Sequence, residues 1–325
     1  MIIHLADTGA ANRKILTAIL AKRFPGAAFK PAAGGLRVSG LPPGKAADAA
    51  PLIENMPGVA TVSFSDAELC PLALAKTARP FASPLDFRKK PVFIAGPCAV
   101  EDEASYLSSA RALKACGAHA LRAALFKPRS SPYAFQGLGW AGLGIIAKAK
   151  NITGLPLATE ATDTRQVERL AEVCDIIQIG ARNMRNYELL KEAARSGRAV
   201  LLKRGMRATL REWLLSAEYL LKYGAKKLIL CERGDSVFPA GGPWLDLRLM
   251  RAAKKLTGLP MLADPSHAAG DRELAAVLAV KALSSGADGL LIEASVNPFR
   301  ALVDGRQTVT VETFRSLAGK CRSSL

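Results

Sequence analysis

From residue 91 onward the chain repeats one rhythm eight times, a short apolar run followed by a longer amphipathic stretch. The runs are PVFIAGPC, AHALRAALFK, LPLATEA, DIIQIGA, AVLLKRG, KKLILCERG, LPMLADPS and DGLLIEASV. Runs of this length read as strands, and the stretches between them are long enough for helices. NMRNYELLKEAARSG is closed by Gly197. REWLLSAEYLLKYG opens behind Thr209, with Glu212 three residues on, a capping-box pattern. It ends at Gly224, a C-terminal cap. Eight β/α units within residues 91–325 predict a closed (β/α)8 barrel, a fold that needs roughly 250 residues. The alternative, an open doubly wound sheet, would carry a glycine fingerprint for phosphate after its first strand, and none is present.

The residues ahead of the barrel differ in texture. Residues 1–65 are apolar runs broken by Gly and Pro and read as β-α-β-α-β, a small α+β domain. Residues 66–90 contain Pro71, Pro80 and Pro84, show no clear period and read as a connector. Half of the chain is hydrophobic, enough for a packed core. No apolar run approaches the roughly 18 residues of a membrane span, and the start lacks the basic-then-apolar order of a signal peptide. A cytoplasmic enzyme is therefore expected.

The net charge is +17, which raises the question of nucleic acid. The excess is spread along the chain, with 12 basic and 6 acidic residues already in positions 1–90. There is no long Lys/Arg run, basic tail or zinc-finger spacing, so neither nucleic acid nor membrane is expected as a partner. Small anionic substrates account for a basic interior equally well. None of the six cysteines forms a C-x-x-C pair, and only Cys98 falls where chemistry is expected.

A barrel of this kind works at the C-terminal ends of its strands. The residues predicted there sort into two sets. Cys98, His267, Glu293 and Asp304 are a thiol, an imidazole and two carboxylates, donors that suit Zn, Fe, Mn or Co. Arg122, Lys127, Arg129, Arg182, Lys203, Arg204 and Arg233 are cations at positions where a barrel interior is otherwise apolar, a costly choice unless an anion meets them. Glu160, Glu232 and Asp264 could pair with some of these, but three carboxylates cannot neutralise seven cations. A metal beside one or two phosphate-bearing substrates follows, with Lewis-acid polarisation of a carbonyl as its chemistry. A metal aldolase and a carbon–carbon-forming synthase both satisfy it.

The segments GPCAVE (96–101), LRAALFKPRSSPYAFQGLG, QIGARNM, LLKRG, LCERG, DPSHAAG and IE together resemble the 3-deoxy-D-arabino-heptulosonate-7-phosphate (DAHP) synthases, in the branch shared with 3-deoxy-manno-octulosonate-8-phosphate synthase. The resemblance runs from residue 91 to about 315. It implies condensation of phosphoenolpyruvate with erythrose 4-phosphate at the entry to the shikimate pathway. It implies a metal on Cys98, His267, Glu293 and Asp304. Phosphoenolpyruvate would meet Arg122, Lys127, Arg182, Lys203 and Arg233; the aldose phosphate would meet Arg129, Ser130 and Asp264. Lys127, Cys98 and His267 would carry the catalytic roles, with Lys127 as proton donor to the new alkoxide. Members of this branch often carry a ferredoxin-like N-terminal domain that binds an aromatic amino acid effector, and they are usually homo-oligomers, tetramers or dimers.

The chain departs from the family pattern in three places. Ala123-Ala124 stand where Gly-Gly is common. DSVFPAGGPW (235–244) replaces a longer loop holding an Arg-Asn pair. Ser295-Val296 replace His-Pro. These leave two alternatives: the same chemistry on another aldose phosphate, as in the octulosonate enzyme, or a retired paralogue that binds metabolites for regulation.

Overall fold

The computed structural model describes residues 1–6, 8–75, 84–88, 91–235 and 245–323. Pro80 and the loop beyond Asp235, two features of the sequence reading, lie outside the described residues. The chain divides into two compact units, Met1–Leu74 and Ala75–Leu325.

The first unit runs β1 (Ile2–Leu5), α1 (Ala10–Arg23), β2 (Ala28–Ala32), β3 (Gly35–Ser39), α2 (Pro43–Glu54), β4 (Val59–Ser63) and the short α3 (Asp66–Leu69). Its sheet has the order β2-β3-β1-β4, with every pair antiparallel, the ferredoxin-like arrangement. Ile3, Leu5, Leu36 and Val38 of the sheet pack on Leu16, Leu20 and Ile53 of the helices. The β-α-β-α-β reading is one strand short. The extra strand β2 (AFKPA) is exposed along most of its length and contains Pro31, so it has no apolar run to betray it. It joins β3 through Gly34, held at φ +68°, a conformation glycine takes at no steric cost.

The second unit contains β5 (Val92–Gly96), α4 (Glu103–Ala115), β6 (Ala120–Arg122), α5 (Leu143–Thr153), β7 (Leu157–Ala161), α6 (Thr164–Val173), β8 (Ile176–Ile179), α7 (Tyr187–Arg195), β9 (Ala199–Lys203), α8 (Leu210–Lys222), β10 (Leu228–Glu232), α9 (Leu247–Thr257), β11 (Met261–Ala263), α10 (Pro265–Ala269), α11 (Arg272–Ser284), β12 (Gly289–Ser295), β13 (Val309–Thr310) and α12 (Val311–Ser323). Strands β5 to β12 pair in parallel, and β12 pairs with both β5 and β11, which closes an eight-stranded barrel. The capping box of α8 is present: Thr209 N donates to Glu212 Oε2 at 2.9 Å and Glu212 N donates to Thr209 Oγ1 at 3.3 Å.

The barrel interior is filled by Val92, Ile94, Ala120, Ala158, Ile176, Ala199, Leu201, Ile229, Cys231, Leu262 and Leu291, joined by Leu85 and Phe87. Those last two come from the stretch read as a connector. They share this cluster with the opening residues of several strands, Val92 of β5, Ile176 of β8 and Ala199 of β9, and so plug the N-terminal end of the barrel. No helix among the described residues is long and apolar enough to cross a membrane.

Candidate active site

The short helix α10 shows how local sequence places a functional side chain. In DPSHAAG, Asp264 is the N-cap and Pro265 fills the first helical turn, where a missing N–H costs nothing. Gly270 ends the helix in the left-handed conformation. Asp264 Oδ1 accepts from His267 N at 3.1 Å, and Oδ2 lies 2.8 Å from His267 Nδ1. The second contact is not aligned as a hydrogen bond, but it turns the far nitrogen, Nε2, toward Glu293 Oε1 at 3.5 Å. A carboxylate behind an imidazole is the usual support of a metal-binding histidine.

Cys98 lies just beyond β5, Glu293 on β12, His267 on α10 and Asp304 in the loop after β12. Their donor atoms all lie within 4.8 Å of one another. Cys98 Sγ donates to Asp304 Oδ2 at 3.0 Å. Burial, then the Glu293 carboxylate, pushes the Cys98 thiol well above its usual range. Burial also works to raise the Glu293 pKa, but His267, then Arg122 and Lys127, outweigh it and hold it at about 2. Glu293 is therefore an anion with no exposed surface, and its Oε1 has no hydrogen-bond partner among the described residues. A buried carboxylate oxygen that is ion-paired to Arg122 without an aligned hydrogen bond, and that faces an imidazole, a thiol and a second carboxylate, fits a borderline divalent cation.

A cavity of about 370 Å³ reaches this quartet through His267 and Asp304. Its wall includes Lys127, Arg129, Ser130, Glu160, Arg182, Lys203, Arg233, His267 and Asp304. Arg129 Nη1 and Arg233 Nη1 are buried without a hydrogen-bond partner among the described residues. Unmet guanidinium donors beside a polar cavity are receptors for an anion such as phosphate or carboxylate. Lys127 is buried at 8 % exposure. Burial pulls its pKa down, but Cys98 and then Glu160 outweigh burial, so the pKa is raised and the amine stays charged. The main-chain N–H of Lys127 donates to Gln136 O at 2.9 Å, which closes the KPRS loop.

The remaining candidates sit behind the cavity wall. Arg122 places Nη1 3.0 Å from Glu293 Oε1 and donates from Nη2 to Cys98 O at 3.3 Å. Its approach to β5 depends on Gly96, where a Cβ would lie 2.4 Å from Arg122 O. Asp264 is fully buried; Lys203 Nζ donates to its Oδ2 at 2.5 Å. Burial would raise the Asp264 pKa, but His267 and Lys203 hold it well below the carboxylate range. Arg204 is not part of the cavity wall. It donates to both oxygens of buried Glu232, from Nη2 at 2.8 Å, so this cation answers to the protein itself.

Two of the three departures from the family pattern do not line this cavity; the third, beyond Asp235, lies outside the described residues. Ala123 and Ala124 are buried and are not among the residues lining it. Ser295 and Val296 line a separate cleft on the α4 side. One polar residue escaped the sequence reading: Gln307, whose Nε2 donates to Glu293 Oε2 at 2.7 Å. Its spacing of three from Asp304 was the only signal available.

Residues 88–324 match the DAHP synthetase I family. The phospho-2-dehydro-3-deoxyheptonate aldolase of Thermotoga maritima is 43 % identical over 225 residues, 69 % of this chain and 67 % of that protein. The 2-dehydro-3-deoxyphosphooctonate aldolase of Syntrophotalea carbinolica is 34 % identical over 67 % of this chain and 85 % of its own length. Among solved structures, the DAHP synthase of T. maritima superposes with a TM-score of 0.81 at 32 % identity, covering 99 % of this chain and 95 % of that one. A truncated form of the T. maritima enzyme gives 0.66 at 38 % identity, covering 72 % and 86 %.

Proposed function

The chain belongs to the DAHP synthetase I family, and on that premise we propose how its residues carry out the family's reaction. The enzyme condenses phosphoenolpyruvate with erythrose 4-phosphate to 3-deoxy-D-arabino-heptulosonate 7-phosphate and inorganic phosphate. The observation that carries the residue assignment is the pair of buried, unpartnered arginine donors in a cavity lined by His267 and Asp304, two members of the cluster completed by Cys98 and Glu293.

Those four residues would hold a divalent ion of the Mn, Fe, Co or Zn group. When bound, the ion supplies Lewis-acid polarisation of the aldehyde carbonyl. Lys203, Arg182 and Arg233 hold phosphoenolpyruvate through its phosphate and carboxylate. Arg129 and Ser130 of the KPRS loop take the phosphate of erythrose 4-phosphate. C3 of phosphoenolpyruvate attacks the aldehyde carbon, and Lys127 Nζ gives a proton to the alkoxide that results. Water then adds at C2, and the C–O bond to phosphate breaks. Arg122 and Asp264 act from behind the wall, Arg122 by fixing Glu293 and Asp264 by orienting Lys203 and His267. The Lys-Pro-Arg-Ser segment, in place of the Asn-Arg form typical of octulosonate enzymes, favours the four-carbon aldose.

The same reading takes the enzyme as cytoplasmic and homo-oligomeric, a tetramer or dimer, and takes Met1–Leu74 as a regulatory unit for an aromatic amino acid. The test is phosphoenolpyruvate consumption with erythrose 4-phosphate and, separately, arabinose 5-phosphate, before and after chelation. Turnover with erythrose 4-phosphate that is lost on chelation and restored by Mn²⁺ is expected. Preference for the five-carbon sugar, or full activity after exhaustive chelation, would refute it.

A further inference from the structure

The turn that delivers Asp304 carries a second polar side chain aimed at the same centre. Asp304 stands in the left-handed region at φ 53°. Its carbonyl accepts from Gln307 N at 3.1 Å, Thr308 N at 3.2 Å and Thr308 Oγ1 at 3.0 Å. This closed turn fixes Gln307 relative to Asp304, and Gln307 Nε2 reaches across to Glu293 Oε2 at 2.7 Å. The two oxygens of Glu293 are thus unequal. Oε2 is engaged by a neutral amide, while Oε1 is ion-paired to Arg122 Nη1 at 3.0 Å and faces His267 Nε2 at 3.5 Å, with no aligned hydrogen bond among the described residues. The main chain cannot easily shift to even them out, because Glu293 N is held by Ser266 Oγ at 3.0 Å.

We propose that Gln307 is a positioning residue that sets the denticity of Glu293, holding Oε2 back so that Oε1 alone is offered to a divalent cation. The inference rests on the ligand set proposed above. A carboxylate released from the amide can turn both oxygens to the ion and so fill one more coordination position. A catalytic site keeps such a position open for its substrate. One turn therefore supplies one ligand and governs another.

The experiment uses the full-length enzyme loaded with Co²⁺ and reads its visible absorption beside steady-state kinetics. Wild type is measured first against Cys98→Ser. A thiolate charge-transfer band present only in wild type supports the ligand set; its absence from wild type would refute that set, and this inference with it. Gln307→Leu and the slimmer Gln307→Met then test Gln307 itself. Both are expected to bind Co²⁺ at full stoichiometry and to keep the thiolate band. Their d–d bands should weaken as coordination number rises, and kcat should fall about 10–100-fold, as for other lost ligand-orienting hydrogen bonds. KM for phosphoenolpyruvate should change little. An unchanged d–d spectrum in a folded variant overturns the proposal. So does loss of Co²⁺ binding, which would make Gln307 a requirement for holding the ion at all. Unfolding of both variants overturns it too, by giving Gln307 a purely structural role.

Discussion

Lys127 keeps its charge at a position where burial opposes it, because Cys98 and Glu160 lie close enough to outweigh the lost hydration. A buried ammonium with a raised pKa is held ready to meet an anion and to give its proton to an alkoxide, a far stronger base. Lys127→Met should lower kcat by about 10²–10⁴ while leaving the urea midpoint close to wild type; near-normal turnover would remove Lys127 from the proton-transfer role. The residues with chemistry were legible because the residue types are unusual at strand ends. What each one faces was not. Lys203 and Arg204 are adjacent and equally cationic in sequence, yet Lys203 is the last residue of β9 and Arg204 the first beyond it, and successive side chains of extended chain point to opposite sides. Lys203 meets Asp264 and the cavity, whereas Arg204 is consumed by Glu232.

At the scale of elements, motif spacing maps onto caps and close approaches. The DPSHAAG segment encodes a five-residue helix with both ends specified, so the position of His267 follows from local sequence. The glycine of GPCAVE has a different logic, since its partner is distant in the chain. At Gly96 a Cβ would fall 2.4 Å from the Arg122 carbonyl and 2.7 Å from Arg122 Cγ. Gly96→Ala should therefore push β5 and β6 apart, costing about 1–3 kcal/mol as overpacking does, and displace Arg122 from Glu293. Urea denaturation reads the first effect and weaker metal binding the second; an unchanged midpoint would mean that the strands are less tightly set. The β2 edge strand and the Leu85–Phe87 plug were missed for one reason. Periodicity detects long apolar repeats, and neither a mostly exposed edge nor a pair of core residues beside unpatterned chain produces one.

Across the whole molecule, the chain forms two compact units with separate cores, and every residue of the proposed site belongs to the second. A protein consisting of Ala75–Leu325 should fold and keep the condensation activity, and it should lose any inhibition by an aromatic amino acid that the full chain shows. Circular dichroism and initial rates with titrated amino acids check both. Inhibition retained by the shorter chain would place the effector elsewhere. The sequence by itself determined the barrel, since eight apolar runs that must be buried have few ways to close, and it determined the inventory of donors at the barrel mouth. Only the tertiary structure decided which donors converge. Cys98 and Asp304 are 206 positions apart and touch at 3.0 Å, and Glu293 gives one oxygen to Gln307 and turns the other toward Arg122 and His267. Such choices depend on side-chain direction and on neighbours brought together by ring closure, and neither is written in any local stretch of chain.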